Sequence, residues 1–280
     1  MTEPNDTLQK WRETSEHWTR HSDIIKEMFA PVTEALIGET GISEGNSVLD
    51  VAGGAGEPSL TIAQRIGPTG SVMCTDAIEG MVDAARAEAA SRGITNVEFR
   101  QCTAESLPFA DESFDVVVSR LGAMFFPDPL AACKEMLRVT KPGGAIGFVV
   151  WHKSELNPFC HLVSDVVSRH VPAPPPDPDA PDAFRFAELG KLASILTQAG
   201  GTDVIDKVLH FQMQVPITSE QFWAIRSEIS ETLRSKLASL SEAERAQIGQ
   251  EVQQAISPFF PNDQMNFPTQ MIIVTGKKPD

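Results

Sequence analysis

The chain has no long apolar run, no basic-then-apolar leader, no CxxC pair and a shortage of positive charge. Its 23 Lys and Arg stand against 38 Asp and Glu, a formal charge of −15. Such a charge repels polyanions, so nucleic acid and anionic membranes are not expected partners. No segment is apolar enough over a sufficient length to cross a bilayer. The N-terminal "MTEPNDTLQKWRET" lacks the pattern of a secretory leader. The four cysteines, Cys74, Cys102, Cys133 and Cys160, are widely spread, and no histidine stands at zinc-ligand spacing. Three of them sit inside apolar segments, as buried free thiols in a reducing compartment do. These absences predict a cytoplasmic protein without a membrane span or a metal site. There is no internal repeat, and nothing sets the oligomeric state.

What is present is α/β alternation over 280 residues, 41% of them hydrophobic. Amphipathic stretches at about 6–20 and 23–38 precede the first strand. In "VLDVAGGAGEPSL" (48–60) an apolar strand is cut off by glycines. A helix then opens, with Pro58 expected at its first position. "SVMCTD" (71–76) reads as a second strand, and the helix after it carries Ile78, Met81, Val82, Ala85 and Ala89 on one face before Gly93. "NVEF", "FDVVVSR" (114–120) and "AIGFVVW" read as further strands, with a helix over about 128–139 and a "KPGG" turn before the last. Strand and helix alternating at this pace predict a Rossmann-like, doubly wound sheet. Beyond Trp151, residues 171–183 carry six prolines and predict a stiff surface connection. A helix near 187–199 and a strand at 203–214 follow. Phe222, Ile225, Ile229, Leu233 and Leu237 fall on one helical face, and Ser241 with Glu244 forms a capping-box pattern. "QMIIVTG" supplies a last strand. The expected organisation is an N-terminal helical cap (1–42), a nucleotide-binding core (43–152) and a C-terminal part (153–280). That last part completes the sheet and carries cap helices at about 217–257.

Two cofactors compete for the glycine loop. For a dinucleotide, "GAGEPS" is an imperfect GxGxxG. For S-adenosylmethionine, the pattern is an acidic residue ending the first strand and then spaced small residues: Asp50, Ala52, Gly54 and Gly56. A carboxylate at Asp50 repels a pyrophosphate but attracts a sulfonium and an ammonium, which favours S-adenosylmethionine. Gly53 and Gly54 allow the backbone to approach the ligand. Asp76, ending the second strand, is placed to accept from ribose hydroxyls and is followed by Ala77 in the same turn. Its competing role is to cap the next helix. Met81 stands beside the adenine, or simply in the core.

"VLDVAGGAGEPSL", "SVMCTDAIEGMVDAAR", "AESLPFADESFDVVVSR" and "EMLRVTKPGGAIGFVVW", in that order, resemble class I S-adenosylmethionine-dependent methyltransferases. The flavour is that of the ubiquinone/menaquinone-biosynthesis branch, and the resemblance is strong over about 45–152. It implies a seven-stranded sheet whose last strand is antiparallel. It also implies cofactor contacts from Asp50, Ala52, Gly54, Gly56, Asp76 and Met81, with Ala52 replacing the family's first glycine. Thr103 stands where many relatives carry an adenine-binding aspartate. Ala104 would offer its backbone N–H, and Ser119 would lie at the methionine end. "SRLG" after the fourth strand is unlike the "NPPY" of amino-nitrogen methylation, and no acidic triad marks a magnesium site.

Methyl transfer from a sulfonium needs an in-line nucleophile, and a base only if that nucleophile arrives protonated. His152, directly after the fifth strand, and His17, in the N-terminal cap beside Trp18, are the candidate bases. Each has an ordinary surface or capping role as its alternative, and His21 and His161 are weaker candidates. Trp11, Trp18, Trp151, Trp223, Phe125, Phe126 and Phe159 could line an apolar pocket. The expected function is methylation, at oxygen or carbon, of a small, largely apolar acceptor such as a quinone-like or secondary-metabolite ring. An NAD-dependent oxidoreductase and a non-catalytic S-adenosylmethionine-binding module stay open as alternatives.

Overall fold

A computed structural model describes residues 17–172, 177 and 179–280. Most of the first expected helix, Trp11 and residues 173–176 and 178 of the Pro-rich connection lie outside these residues. A helical turn over 17–20 leads into α1 (Ser22–Thr40). The core then alternates as expected: β1 (Ser47–Val51), α2 (Ser59–Ile66), β2 (Ser71–Asp76), α3 (Glu79–Ser91), β3 (Val97–Gln101), β4 (Phe114–Arg120), α4 (Pro129–Val139) and β5 (Thr140–Trp151). These strands pair in parallel in the order β3-β2-β1-β4-β5. The central ones read as unbroken apolar runs because helices cover both faces of the sheet. On one face α1 presses Met28, Val32 and Leu36 into the core. The helix comes close at Gly147 of β5, where an added Cβ would stand 2.3 Å from Thr40 and 2.9 Å from Leu36.

The C-terminal part adds α5 (Pro158–His170), α6 (Lys191–Ala199), β6 (Thr202–Val215), α7 (Ser219–Ile229), α8 (Glu231–Ala238), α9 (Glu242–Ile256) and β7 (Met265–Lys277). Strand β7 slots between β5 and β6 and runs antiparallel to both. The β6–β7 ladder continues past the end of β5 to Val215 and Met265, and the α7–α9 insertion joins its two strands. Phe159, Phe222, Phe260 and Phe267 interlock beneath that insertion, with ring centroids 5.3–5.8 Å apart.

Four local expectations need correction. Residues 222–237 do not form one helix: Ser230 leaves the helical conformation and its hydroxyl caps α8 at the Leu233 amide. All five apolar residues are buried nonetheless. The "KPGG" turn is drawn into β5, which begins at Thr140 and shifts register opposite Phe114 and Val116. The helix expected from about 187 begins at Lys191, after the left-handed Gly190. Pro58 stands one residue before the helix start, as the cap of α2. The Ser241–Glu244 capping box forms as read.

Candidate functional site

A cleft opens at the carboxyl ends of β1, β2 and β4, where ligands bind in open α/β sheets. It encloses about 1300 Å³ counted with its open mouth. Its floor is the glycine loop. One end is formed by Asp76, Ala77, Ile78 and Met81 after β2, with Cys102, Thr103 and Ala104 after β3. The opposite end is formed by Arg120, Leu121 and Gly122 after β4, and by Ser22, Ile25 and Phe29 of α1. Trp18, Phe125 and Phe126 extend that wall.

The glycine loop is shaped by contacts beneath it as much as by space above it. A Cβ on Gly53 would lie 2.7 Å from Asp50 Oδ2 and 2.8 Å from Cys74 Sγ. Gly53 therefore serves the packing of the loop onto β1 and β2, where ligand approach alone was expected. Gly54 holds a left-handed φ of +57°, and an added Cβ there would meet nothing within 4 Å. Gly56, at φ +113°, turns the chain into α2 and packs against Leu60; it does not line the cleft. Ala52 holds φ +59°, a left-handed conformation that costs an L-residue free energy. Its methyl group occupies the room left by Gly122, whose added Cβ would stand 2.6 Å from it.

Asp76 lines the cleft with both carboxylate oxygens bonded to backbone amides, and the residue that caps α3 is Ile78. Oδ1 accepts from the Ile78 amide at 2.9 Å at the start of α3, and Oδ2 accepts from the Gly54 amide at 3.0 Å. The side chain thus ties the glycine loop to the end of β2 while facing the cleft. Burial raises its pKa, and the amides of Ile78, Gly54 and Ala77 oppose that shift. A carboxylate so held retains lone pairs for further donors. Met81 is likewise shared: it is 3% exposed, packed in the core, and contributes to the cleft wall.

Asp50, Ser119, His152 and His17 are not brought to the cleft wall. Asp50 is fully buried under the loop and accepts from Ser59 Oγ at 2.6 Å, while Oδ1 has no partner. Burial lifts its pKa to about 6 against the lowering effects of Ser59 and Arg120. It lies behind the loop backbone and outside the cleft wall. Ser119 is buried below Gly122 with its hydroxyl unpartnered. His152 is drawn away by the Ala187 carbonyl, 2.7 Å from Nδ1. His17 lies 3.5 Å from Glu228 of α7, beside His21 at 2.8 Å and Arg20 at 3.0 Å. Neither histidine is positioned as a base there. Their expected role gives way to local contacts with a carbonyl and a carboxylate.

Of the aromatic residues expected to form a pocket, Trp18, Phe125 and Phe126 line the cleft. Trp151 and Phe159 stack on one another in the core, 5.9 Å apart. No residue of the 217–257 helices and none described in the Pro-rich connection lines it. Residues 217–257 reach it indirectly, through the Trp18 Nε1 bond to the Ile229 carbonyl at 3.2 Å. Sequence reading missed Arg120, Glu57, Arg92 and the α1 wall. Glu57 is held by Arg92 at 2.7 Å, and Arg92 also meets Glu88 at 2.6 Å. An arginine inside the apolar "VVVSR" run was the available signal for Arg120. Burial pushes up the thiol pKa of Cys102 to about 11, so this cleft cysteine is a protonated thiol. Among the described residues no group of histidine, cysteine and acidic side chains could hold a metal ion, and no helix is long and apolar enough to cross a membrane.

The fold is a Rossmann-like doubly wound sheet with its cleft at the carboxyl ends of the strands, the fold also found in methyltransferases of known structure. Residues 30–167 match the ubiE/COQ5 methyltransferase family. The chain is 34% identical over 138 residues to the ubiquinone/menaquinone biosynthesis C-methyltransferase UbiE of Marinomonas sp., covering 49% of this chain and 55% of that protein. It is 42% identical over 128 residues to an uncharacterized protein of Mycobacterium tuberculosis, covering 46% of this chain and 45% of that one. The chain thus spans about half the length of the curated relatives it matches. The phosphoethanolamine N-methyltransferase 2 of Haemonchus contortus, solved with phosphomonomethylethanolamine and S-adenosylhomocysteine, superimposes with a TM-score of 0.60. It covers all of this chain and 61% of that one at 17% identity. The [4+2]-cyclase SpnF superimposes with a TM-score of 0.53 at 19% identity, covering 96% of each chain. At these identities the structural likenesses speak for the fold alone.

Proposed function

We propose that the protein transfers a methyl group from S-adenosylmethionine to oxygen or carbon of a small, largely apolar acceptor, a quinone-like or secondary-metabolite ring, in the cytoplasm. The observation that carries this reading is the division of one cleft into a polar end and an apolar end. Asp76 and the Gly54 backbone, with apolar Ala77, Ile78 and Met81 beside them, fit an adenosine. Thr103 and the Ala104 backbone stand where the adenine edge would lie. Trp18, Ile25, Phe29, Leu121, Phe125 and Phe126 offer an apolar wall for a planar acceptor at the other end. The cofactor supplies a methyl carbon already activated on a sulfonium. The chain's task is then to hold the acceptor in line and keep water out, which contributes roughly 7–11 kcal/mol to lowering a barrier. Asp50, a carboxylate behind the loop, favours positive charge in front of it. With no histidine in the cleft wall, the acceptor that suits it best is one that arrives ionised or needs no deprotonation. The buried free thiols suit a reducing compartment.

Calorimetry with S-adenosylhomocysteine and with NAD on the same preparation tests the reading. We expect the nucleoside sulfide to bind and the dinucleotide not to. Asp76→Ala should weaken S-adenosylhomocysteine about tenfold or more, the loss of a charge-assisted hydrogen bond. Tight NAD binding would end the proposal, and an unchanged affinity in a folded Asp76→Ala protein would remove the ribose assignment. Transfer itself is read from a panel of phenols, quinols and enols with labelled S-adenosylmethionine.

A further inference from the structure

Arg120 differs from the other charged residues in the cleft. Arg92 and Glu57 satisfy one another, and Asp76 accepts one backbone amide at each oxygen. Arg120 is only 8% exposed and lines the cleft. Both its hydrogen bonds go to neutral oxygens: Nη1 to Thr33 Oγ1 at 2.7 Å and Nη2 to the Glu57 carbonyl at 2.9 Å. Its Nε has no partner. The guanidinium carbon lies over the Phe29 ring, 5.7 Å from its centre. Asp50 and Glu57 attract it electrostatically, and burial still lowers its pKa. A guanidinium desolvated to this degree without a bonded carboxylate is a costly arrangement for structure alone.

Strand register says what Arg120 faces. Asp50 pairs with Cys74 on one side and with Val118 on the other. Two residues further along each neighbouring strand stand Asp76 and Arg120. They therefore flank the exit of β1 at the same level and on the same face of the sheet, roughly 10 Å apart by strand spacing. A molecule anchored on Asp76 and lying across the glycine loop runs towards Arg120.

We propose that Arg120 is a recognition residue for a planar oxyanion, a carboxylate or a comparable delocalised oxygen anion, brought into the cleft by its bound molecules. The guanidinium fork matches such a group bidentately, whereas a lysine ammonium offers only a point charge. The inference rests on the cofactor reading above. The anion has two possible carriers, the amino-acid end of the cofactor or the acceptor itself, and the chemistry at Arg120 is the same for both.

Two matched pairs separate them by calorimetry. S-adenosylhomocysteine is compared with its decarboxylated analogue, which keeps the adenosine and the ammonium. Salicylate is compared with salicylamide on protein saturated with S-adenosylhomocysteine. In the wild-type protein at least one pair should favour the carboxylate by about tenfold. Arg120→Gln should reduce that preference to less than about threefold, and Arg120→Lys should reduce it in part. The pair that responds names the carrier. The wild-type comparison needs no variant and stands even if Arg120→Gln fails to fold. Equal binding within both pairs, or no binding by any of the four compounds, overturns the proposal. So does an Arg120→Gln protein that melts earlier but keeps its preference, because a tie between α1 and β4 would do only that. If S-adenosylhomocysteine alone fails to bind while free protein still prefers salicylate, the methyltransferase reading falls and the oxyanion site remains.

Discussion

Ala52 carries a methyl group at a position whose backbone suits glycine. The left-handed conformation costs an L-residue roughly 1–2 kcal/mol, and the extra freedom of an unfolded glycine returns about 0.4–1 kcal/mol of that. Ala52→Gly should therefore stabilise the protein by about 0.5–1 kcal/mol, a rise of about 1–3 °C in a thermal melt. A lower melting temperature would mean that the methyl contact over Gly122 outweighs the strain. Leu121, at φ +63°, holds the same kind of conformation at the exit of β4. Both strained residues line the cleft, where such conformations persist because surrounding contacts over-determine them. The sequence announced Ala52 as the departure from the family's glycine. It gave no sign of Leu121, because positive φ in a leucine is imposed by neighbours and not by local preference.

At the level of elements, the N-terminal segment that brings Trp18 to the cleft is fastened to α7. Glu228 gathers Arg20, His21 and His17, and its pKa is lowered chiefly by the His21 hydrogen bond. One residue on, the Ile229 carbonyl accepts from Trp18, which lines the cleft. Glu228→Gln should cost no more than about 1 kcal/mol of global stability, since the cluster is partly exposed. It should, however, speed limited proteolysis near the N-terminus and the release of S-adenosylhomocysteine in stopped-flow measurements. Unchanged proteolysis and release would show that the cluster does not fasten the segment. The strands and the helices of the core were legible because period-two and period-3.6 patterns need only local chemistry. The break at Ser230 was not, because the apolar face runs on through it and only a hydroxyl cap marks the end. The contribution of α1 to the cleft was equally hidden: Ile25 and Phe29 look like any core-facing residues until the helix is docked.

For the molecule as a whole, the buried charge of Asp50 links stability to pH. Its folded pKa of about 6 lies above the ordinary 3.8, so the folded state holds the proton more tightly than the unfolded chain. The favourable contribution from protonation is full below about pH 4 and is lost as pH rises through 6. Between pH 5 and pH 7 the wild-type protein should lose about 1 kcal/mol relative to Asp50→Asn in denaturant titrations. Asp76, shifted in the same direction, contributes a slope of its own in both proteins. Parallel profiles for the two proteins would show that Asp50 is not held at a raised pKa. The sequence by itself determined the alternating core, and the family resemblance carried by its motifs implied the antiparallel last strand. These rest on short-range patterns and on a motif contiguous along the chain. Only the tertiary structure decided which histidines turn away, that Asp50 is buried behind the backbone, and that Arg120 stands opposite Asp76 across β1. Those facts depend on strand register and on which buried groups find partners, and both are set by residues far apart in the chain.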